Sequence, residues 1–251
     1  MDDLVGKHAL RLELPAGAVS DQTTFESLAQ LGTALTECRR CPRLVTWREQ
    51  VARDKRAAFL DDEYWGRPVT GFGDPAASIV VVGLAPAAHG ANRTGRMFTG
   101  DRSGEWLYRA MHRTGFANQP NAVSVDDGLR LNDVWVTSAV KCAPPANKPT
   151  TRERDTCSEW LHTELTLLSN ASVFVCLGQF GYLAVWRYLA ATGVTLPKPR
   201  PKFAHALDVK VDGLRVLASF HPSQQNTFTG KLTEQMLDQI FVAARQASIG
   251  S

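Results

Sequence analysis

Four cysteines supply the first chemistry. Cys38 and Cys41 stand in "CRRC", Cys142 in "VKCAPP" and Cys157 in "RDTCSEW". A C-x-x-C pair is thus followed, 100 residues later, by a C-x14-C pair. Thiols in such polar surroundings, in a reducing compartment, read as metal or cluster ligands rather than as disulfides. Four thiolates suit zinc as well as an iron–sulfur cluster, and the spacing does not choose between them. Cys176, set among Val173, Phe174, Val175 and Leu177, reads instead as a small core hydrophobe.

The second set of groups lies in three loops. "VVGLAPAAHGANRTGRMFTGD" (Val81 to Asp101) brings an apolar run into small residues, then Phe98 and Asp101; "KCAPPANKPT" carries Asn147; "HPSQQNTFTG" carries His221. An aromatic plane, a carboxylate, an amide and an imidazole are the makings of one pocket. Each has a plainer use: Asp101 as N-cap of the helix at "RSGEW", Asn147 as a turn residue, Phe98 as core packing. Gly90 and Gly95 have the interval of a phosphate-binding P-loop. That motif needs lysine and then serine or threonine, and Arg96 and Met97 stand there.

The elements that must position these loops follow from hydrophobic pattern. "SIVVVGLAP", "DVWVTSAVKC", "SVFVCLGQ" and "GLRVLASFHP" are apolar, partly β-branched runs that read as buried strands. Between them, "SGEWLYRAMHRTG" and "TTRERDTCSEWLHTELTLL" have helical spacing, the latter opening with Thr150 and Glu153 as a capping box. The alternation predicts an α/β fold with a largely parallel sheet covered by helices on both faces. Ligands of such sheets bind at the carboxyl ends of the strands, where these loops begin.

The chain has 251 residues, 44% of them hydrophobic, with a formal net charge of +3, enough for a substantial core and short of a histone-like basic excess. No cationic leader or apolar stretch of membrane length is present. A cytoplasmic protein is expected, with the first 20 and last five residues poorly ordered and one domain over residues 21–246.

As a set, "GLAPAAHGANRTGRMFTGD", "VKCAPPANKPT", "HPSQQNTFTG" and the four cysteines in this order resemble the family 5 uracil-DNA glycosylases. The resemblance implies a three-layer α/β/α fold around a four-stranded, predominantly parallel sheet. It also implies a [4Fe-4S] cluster and hydrolysis of the N-glycosidic bond of uracil, or of other deaminated bases such as hypoxanthine, in DNA. Carried onto this chain, the ligands are Cys38, Cys41, Cys142 and Cys157, with zinc as the alternative occupant. The catalytic group is Asp101, Asn147 and His221. The substrate-binding group is Gly83, Leu84, Ala85, Pro86, Ala87, Phe98, Gln225 and Asn226. A monomer acting on DNA is expected.

Two departures bear on mechanism. Related families place a polar or acidic residue directly after the leading glycine to activate water, whereas Leu84 stands here, so Asp101 inherits that role. Where the commonest family has a leucine wedge this chain has Gln225, with Phe228 nearby. Arg93, Arg96, Arg102, Lys141, Lys148 and Lys231 are expected to line the pocket mouth and neutralise phosphates. The competing reading is a non-catalytic, cluster- or zinc-bearing nucleic-acid-binding protein, with a small nucleotide hydrolase third.

Overall fold

In the computed structural model, which describes residues 24–249, the four apolar runs form the middle of one sheet. The chain begins with α1 (Leu28–Thr36) and α2 (Pro42–Asp54), then enters the sheet through β1 (Phe72–Gly73) and β2 (Ile79–Gly83). After β2 come the short α3 (Ala91–Thr94), α4 (Arg102–Arg113), β3 (Val134–Ser138) and α5 (Thr151–Leu167). The remainder is β4 (Val173–Leu177), α6 (Gly178–Ala191), β5 (Leu207–Val211), β6 (Leu214–Ser219), α7 (Gln224–Phe228) and α8 (Glu234–Ile249).

Among the described residues the strand order is β1-β3-β2-β4-β6-β5. The four central strands are parallel, with Ile79 opposite both Val134 and Val173, and Phe174 opposite Val216. The expected four-stranded sheet is thus corrected to six, because β1 and β5 add antiparallel edges. Their signals are weak. β1 is two residues long, and β5 alternates half-buried and exposed positions through "LDVKV".

Because successive strand side chains face opposite ways, β2 divides its valines and isoleucine between two cores. Ile79 and Val81 meet Leu107 and Met111 of α4 and Leu237 and Phe241 of α8 on one face. Val80 and Val82 meet Leu161 and Leu165 of α5 and Val185 and Leu189 of α6 on the other. This is the α/β/α layering expected. Cys176 is buried in the second core as a hydrophobe.

Local signals hold where their partners are near in sequence. Thr150 and Glu153 form the reciprocal capping box of α5. Cys157, Leu161 and Leu165 fall on its buried side. At the other end of the chain α8 continues through Ile249, so three of the last five residues are helical, contrary to expectation. The disorder expected for residues 1–20 concerns positions outside the described residues.

Candidate active site

The loop after β2 starts at Gly83, and the Phe98 ring lies directly against that glycine. A Cβ at position 83 would sit 2.6 Å from Phe98 Cζ. Phe98 adopts a left-handed backbone, φ 53°, a conformation that costs a bulky residue of the order of 1–3 kcal/mol and recurs at functional sites. Its ring meets the His221 imidazole at 5.9 Å between centroids, tilted by 30°. The loops leaving β2 and β6 therefore converge, as the parallel-sheet rule requires.

His221 is half-buried, and burial pushes its imidazole down to about 4, so it is neutral at pH 7. Its backbone carbonyl accepts from the Asn226 amide at 2.9 Å, while Ser223 caps α7. Asn226 thereby braces the His221 loop. Gln225 is exposed in the first turn of α7, and Phe228 at its end is 65% exposed. Arg102 lies over the Phe228 ring, 5.1 Å from its centroid.

Asp101 does cap α4: its Oδ1 accepts from the Gly104 N–H at 2.9 Å. Its Oδ2 lies against Gly90, where an added Cβ would collide with the carboxylate and stand 2.8 and 2.9 Å from Asp101 Cγ and Cβ. Burial raises the Asp101 carboxyl above the usual aspartate value, partly opposed by the N–H groups of Gly104 and Ser103.

Leu84, Ala85 and Ala87 are half-buried and Pro86 is buried. The Gly83 and Leu84 carbonyls accept from Ala139 and Val140 at 3.0 Å each, tying the loops after β2 and β3 together. Asn147, by contrast, is exposed with a left-handed φ of 54°. Its side chain has no hydrogen-bond partner among the described residues. It is not in hydrogen-bond contact with His221 or Asp101.

Sequence reasoning overlooked Tyr64, whose hydroxyl lies 3.0 Å from His89 Nδ1 in the same loop. No local motif marks Tyr64. Burial lowers the His89 imidazole, helped by Arg56 and Arg93.

A model of the Uracil DNA glycosylase superfamily matches residues 70–245. The type-5 uracil-DNA glycosylase of Mycobacterium tuberculosis is 51% identical over 222 residues, covering 88% of this chain and 81% of that protein. The type-5 enzyme of Thermus thermophilus is 49% identical over 213 residues, covering 84% and 94%. The type-4 enzyme of Archaeoglobus fulgidus is 28% identical over 156 residues, covering 62% and 70%. The chain belongs to the type-5 uracil-DNA glycosylases.

In this family member, three of the six expected phosphate contacts are turned inward. Arg96 is buried with its Nη atoms 2.9 and 2.6 Å from the two Asp127 oxygens and Nε on Thr99. Asp127 is held down at about 2 in return, against its own desolvation. Lys141, only 1% exposed, is paired with Glu164 and bonded to Thr137. Arg93 pairs with Asp62 and lies 3.9 Å from the Phe59 ring centroid. Arg102, Lys148 and Lys231 remain exposed, Lys231 lying 4.7 Å from the Phe220 ring centroid. Among the described residues no helix is long and apolar enough to cross a membrane.

The four cysteines come together in the structure. Their side chains line one small cavity between α1, α2, the loop after β3 and α5. None of them is in a disulfide. Among the described residues no group of three or more His, Cys, Asp or Glu side chains is arranged to hold a metal ion. Arg48 Nη1 donates to Cys142 Sγ at 2.9 Å and the Lys141 N–H to Cys157 Sγ at 3.3 Å, contacts that favour thiolates. Without a metal, burial pushes the Cys142 thiol up to about 11 and that of Cys157 to about 12. A metal held by these thiols would have to displace their protons.

Proposed function

We propose that this chain cleaves the bond between uracil N1 and the deoxyribose C1′ in DNA, leaving an abasic site. It accepts other deaminated bases, such as hypoxanthine, in the same pocket. Bond cleavage builds positive charge on the sugar and negative charge on the departing base, so the work of the site is to stabilise both and to place a water. Neutral His221 donates an N–H to the base oxygen that becomes negative. Phe98 stacks on the flipped base, and the small residues of the Gly83–Ala87 segment leave room for it. Asp101 presents its carboxylate to the sugar side, where it orients the water and favours the cation. Leu84 supplies no acid of its own. Asn147, exposed and unpaired, pairs with the base edge when DNA closes over it.

The observation that carries this reading is the convergence of Phe98 on His221 over Gly83, with the Asp101 carboxylate held beside Gly90. Family membership supports the choice of uracil. Bulkier deaminated purines fit a first loop whose side chains are small, with Tyr64 engaged by His89 instead.

Cys38, Cys41, Cys142 and Cys157 hold a [4Fe-4S] cluster, which ties α1 and α2 to the loop after β3 and to α5 and takes no part in the bond cleavage. Reduced thiols of this kind call for a cytoplasmic setting, and the enzyme acts as a monomer on DNA.

The test is incubation of metal-replete protein with a duplex carrying one uracil, followed by alkali. Strand cleavage at the uracil position, absent from the matched thymine duplex, is expected. An uncleaved uracil duplex that the protein nevertheless binds would replace this reading with that of a non-catalytic binding protein.

A further inference from the structure

Arg48 sits on the buried stripe of α2 with Leu44, Val45 and Val51, and is 2% exposed. A guanidinium in that position is costly unless its donors and its charge are met. Nη1 donates to Cys142 Sγ at 2.9 Å, and Nη2 donates to the Cys38 carbonyl at 3.2 Å. The nearest carboxylate, Glu49, lies 3.9 Å away and is engaged by Arg39. Nε is buried without a partner among the described residues. Arg48 therefore has its most direct electrostatic partner in Cys142, which is an anion when it ligates a metal.

The same residue reaches the pocket loop through its backbone. The Arg48 carbonyl accepts from Asn92 Nδ2 at 3.2 Å, and Asn92 is fully buried in α3. That amide also reaches the Ala88 carbonyl, and the Asn92 N–H bonds to Ala87 at 3.0 Å. Gly90, the N-cap of α3, is the residue pressed against the Asp101 carboxylate. One continuous chain of contacts thus runs from Cys142 and Cys38, through α2 and α3, to the Asp101 carboxylate.

We propose that Arg48 is a positioning residue that makes the geometry of the pocket loop depend on the four-cysteine centre. With the centre filled, the charge of Arg48 is balanced, and α2 stays docked beneath α3. With the centre lost, Arg48 has no adequate counter-charge, and α3 loosens from α2. Gly90 then no longer fixes Asp101. Excision falls while contact with the DNA backbone, made by Arg102, Lys148 and Lys231, persists. This inference rests on the four-cysteine reading given above.

The experiment follows amide hydrogen exchange at Asn92, Arg93, Thr94 and Gly95, whose N–H groups bond to Ala87, Gly90, Gly90 and Ala91. Wild-type protein is compared before and after removal of its metal, with amides of β4 as the internal reference. Removal should speed exchange at positions 92–95 by about tenfold or more, with β4 little changed. Arg48→Gln at full metal content should show the fast exchange already. Should Arg48→Gln fail to fold or load, Asn92→Ser tests the same link with every cysteine contact intact. It should retain full metal, show fast exchange at 93–95, and lose about tenfold in single-turnover excision at unchanged duplex affinity. Protection at 92–95 that survives metal removal, or that is wild-type in Asn92→Ser, would overturn the coupling. Wild-type protein purified without air and carrying no metal at all would instead remove the centre itself, and the coupling with it.

Discussion

The Phe98 ring and the His221 imidazole stand 5.9 Å apart, inclined at 30°, each brought by a different strand of the parallel sheet. A planar base can share the aromatic ring while the imidazole reaches its rim. Replacing His221 with alanine should slow single-turnover excision by roughly two orders of magnitude, the usual cost of one oxyanion-type donor. Affinity for an uncleavable duplex should change little. Equal losses in both quantities would make His221 a binding residue.

The lowered His221 titration sets a pH window. The unfolded imidazole gains its proton near the ordinary value of about 6.5, whereas the folded one resists protonation down to about 4. Protonation in that interval favours unfolding. Wild-type stability attributable to His221 is therefore complete above pH 6.5 and declines as pH falls toward 4. In His221→Gln the melting temperature should fall less over this range, a difference thermal scans at pH 7.0 and 4.5 will show.

Asp101 divides its carboxylate between structure and chemistry, and substitution separates the two. Asparagine caps helices as well as aspartate does, so Asp101→Asn should keep its melting temperature while excision falls ten- to a thousandfold, roughly 1.4 to 4 kcal/mol in barrier. Asp101→Ala should additionally lose about 1 kcal/mol of stability with the cap. Near-normal excision by Asp101→Asn would leave the residue as a cap alone.

Gly90→Ala tests the same carboxylate from the loop side. A methyl added at Gly90 would strike the Asp101 carboxylate. Excision should drop at least tenfold, on the order of 1.4 kcal/mol or more, as single-turnover assays will report. Stability should change by less than excision does.

Lys141 and Glu164 form a buried pair that also satisfies Thr137, the Trp135 indole N–H at 3.1 Å and the Gly71 N–H at 3.1 Å. Lys141→Met strands that carboxylate and should cost about 3–5 kcal/mol in denaturant unfolding. Removing Glu164 as well, as leucine, should recover part of the loss.

The central strands were legible because each is a short, unbroken apolar run, and the capping box of α5 because Thr150 and Glu153 are three residues apart. The buried cations were not. Arg96, Lys141 and Arg93 look like pocket-rim charges until their partners Asp127, Glu164 and Asp62, 23 to 31 residues away, fold against them. A sequence signal did exist for two others: Arg48 and Glu164 fall on the apolar stripes of α2 and α5, where a charge implies a buried partner. Tyr64 carried no such mark, since only the folded loop brings it to His89. The groups on loops after β2 and β6 were found together because a parallel sheet gathers its strand ends. Asn147 was grouped by the same rule, yet the structure leaves it at the surface.

Base excision is measured most directly by counting what a uracil-containing duplex releases in a single turnover with metal-replete protein. One free uracil per duplex, with the strand intact until alkali is added, and at least a tenfold slower release by Asp101→Asn, on the order of 1.4 kcal/mol or more, is the expected result. A duplex that keeps its uracil, or a strand already broken before alkali, would contradict it.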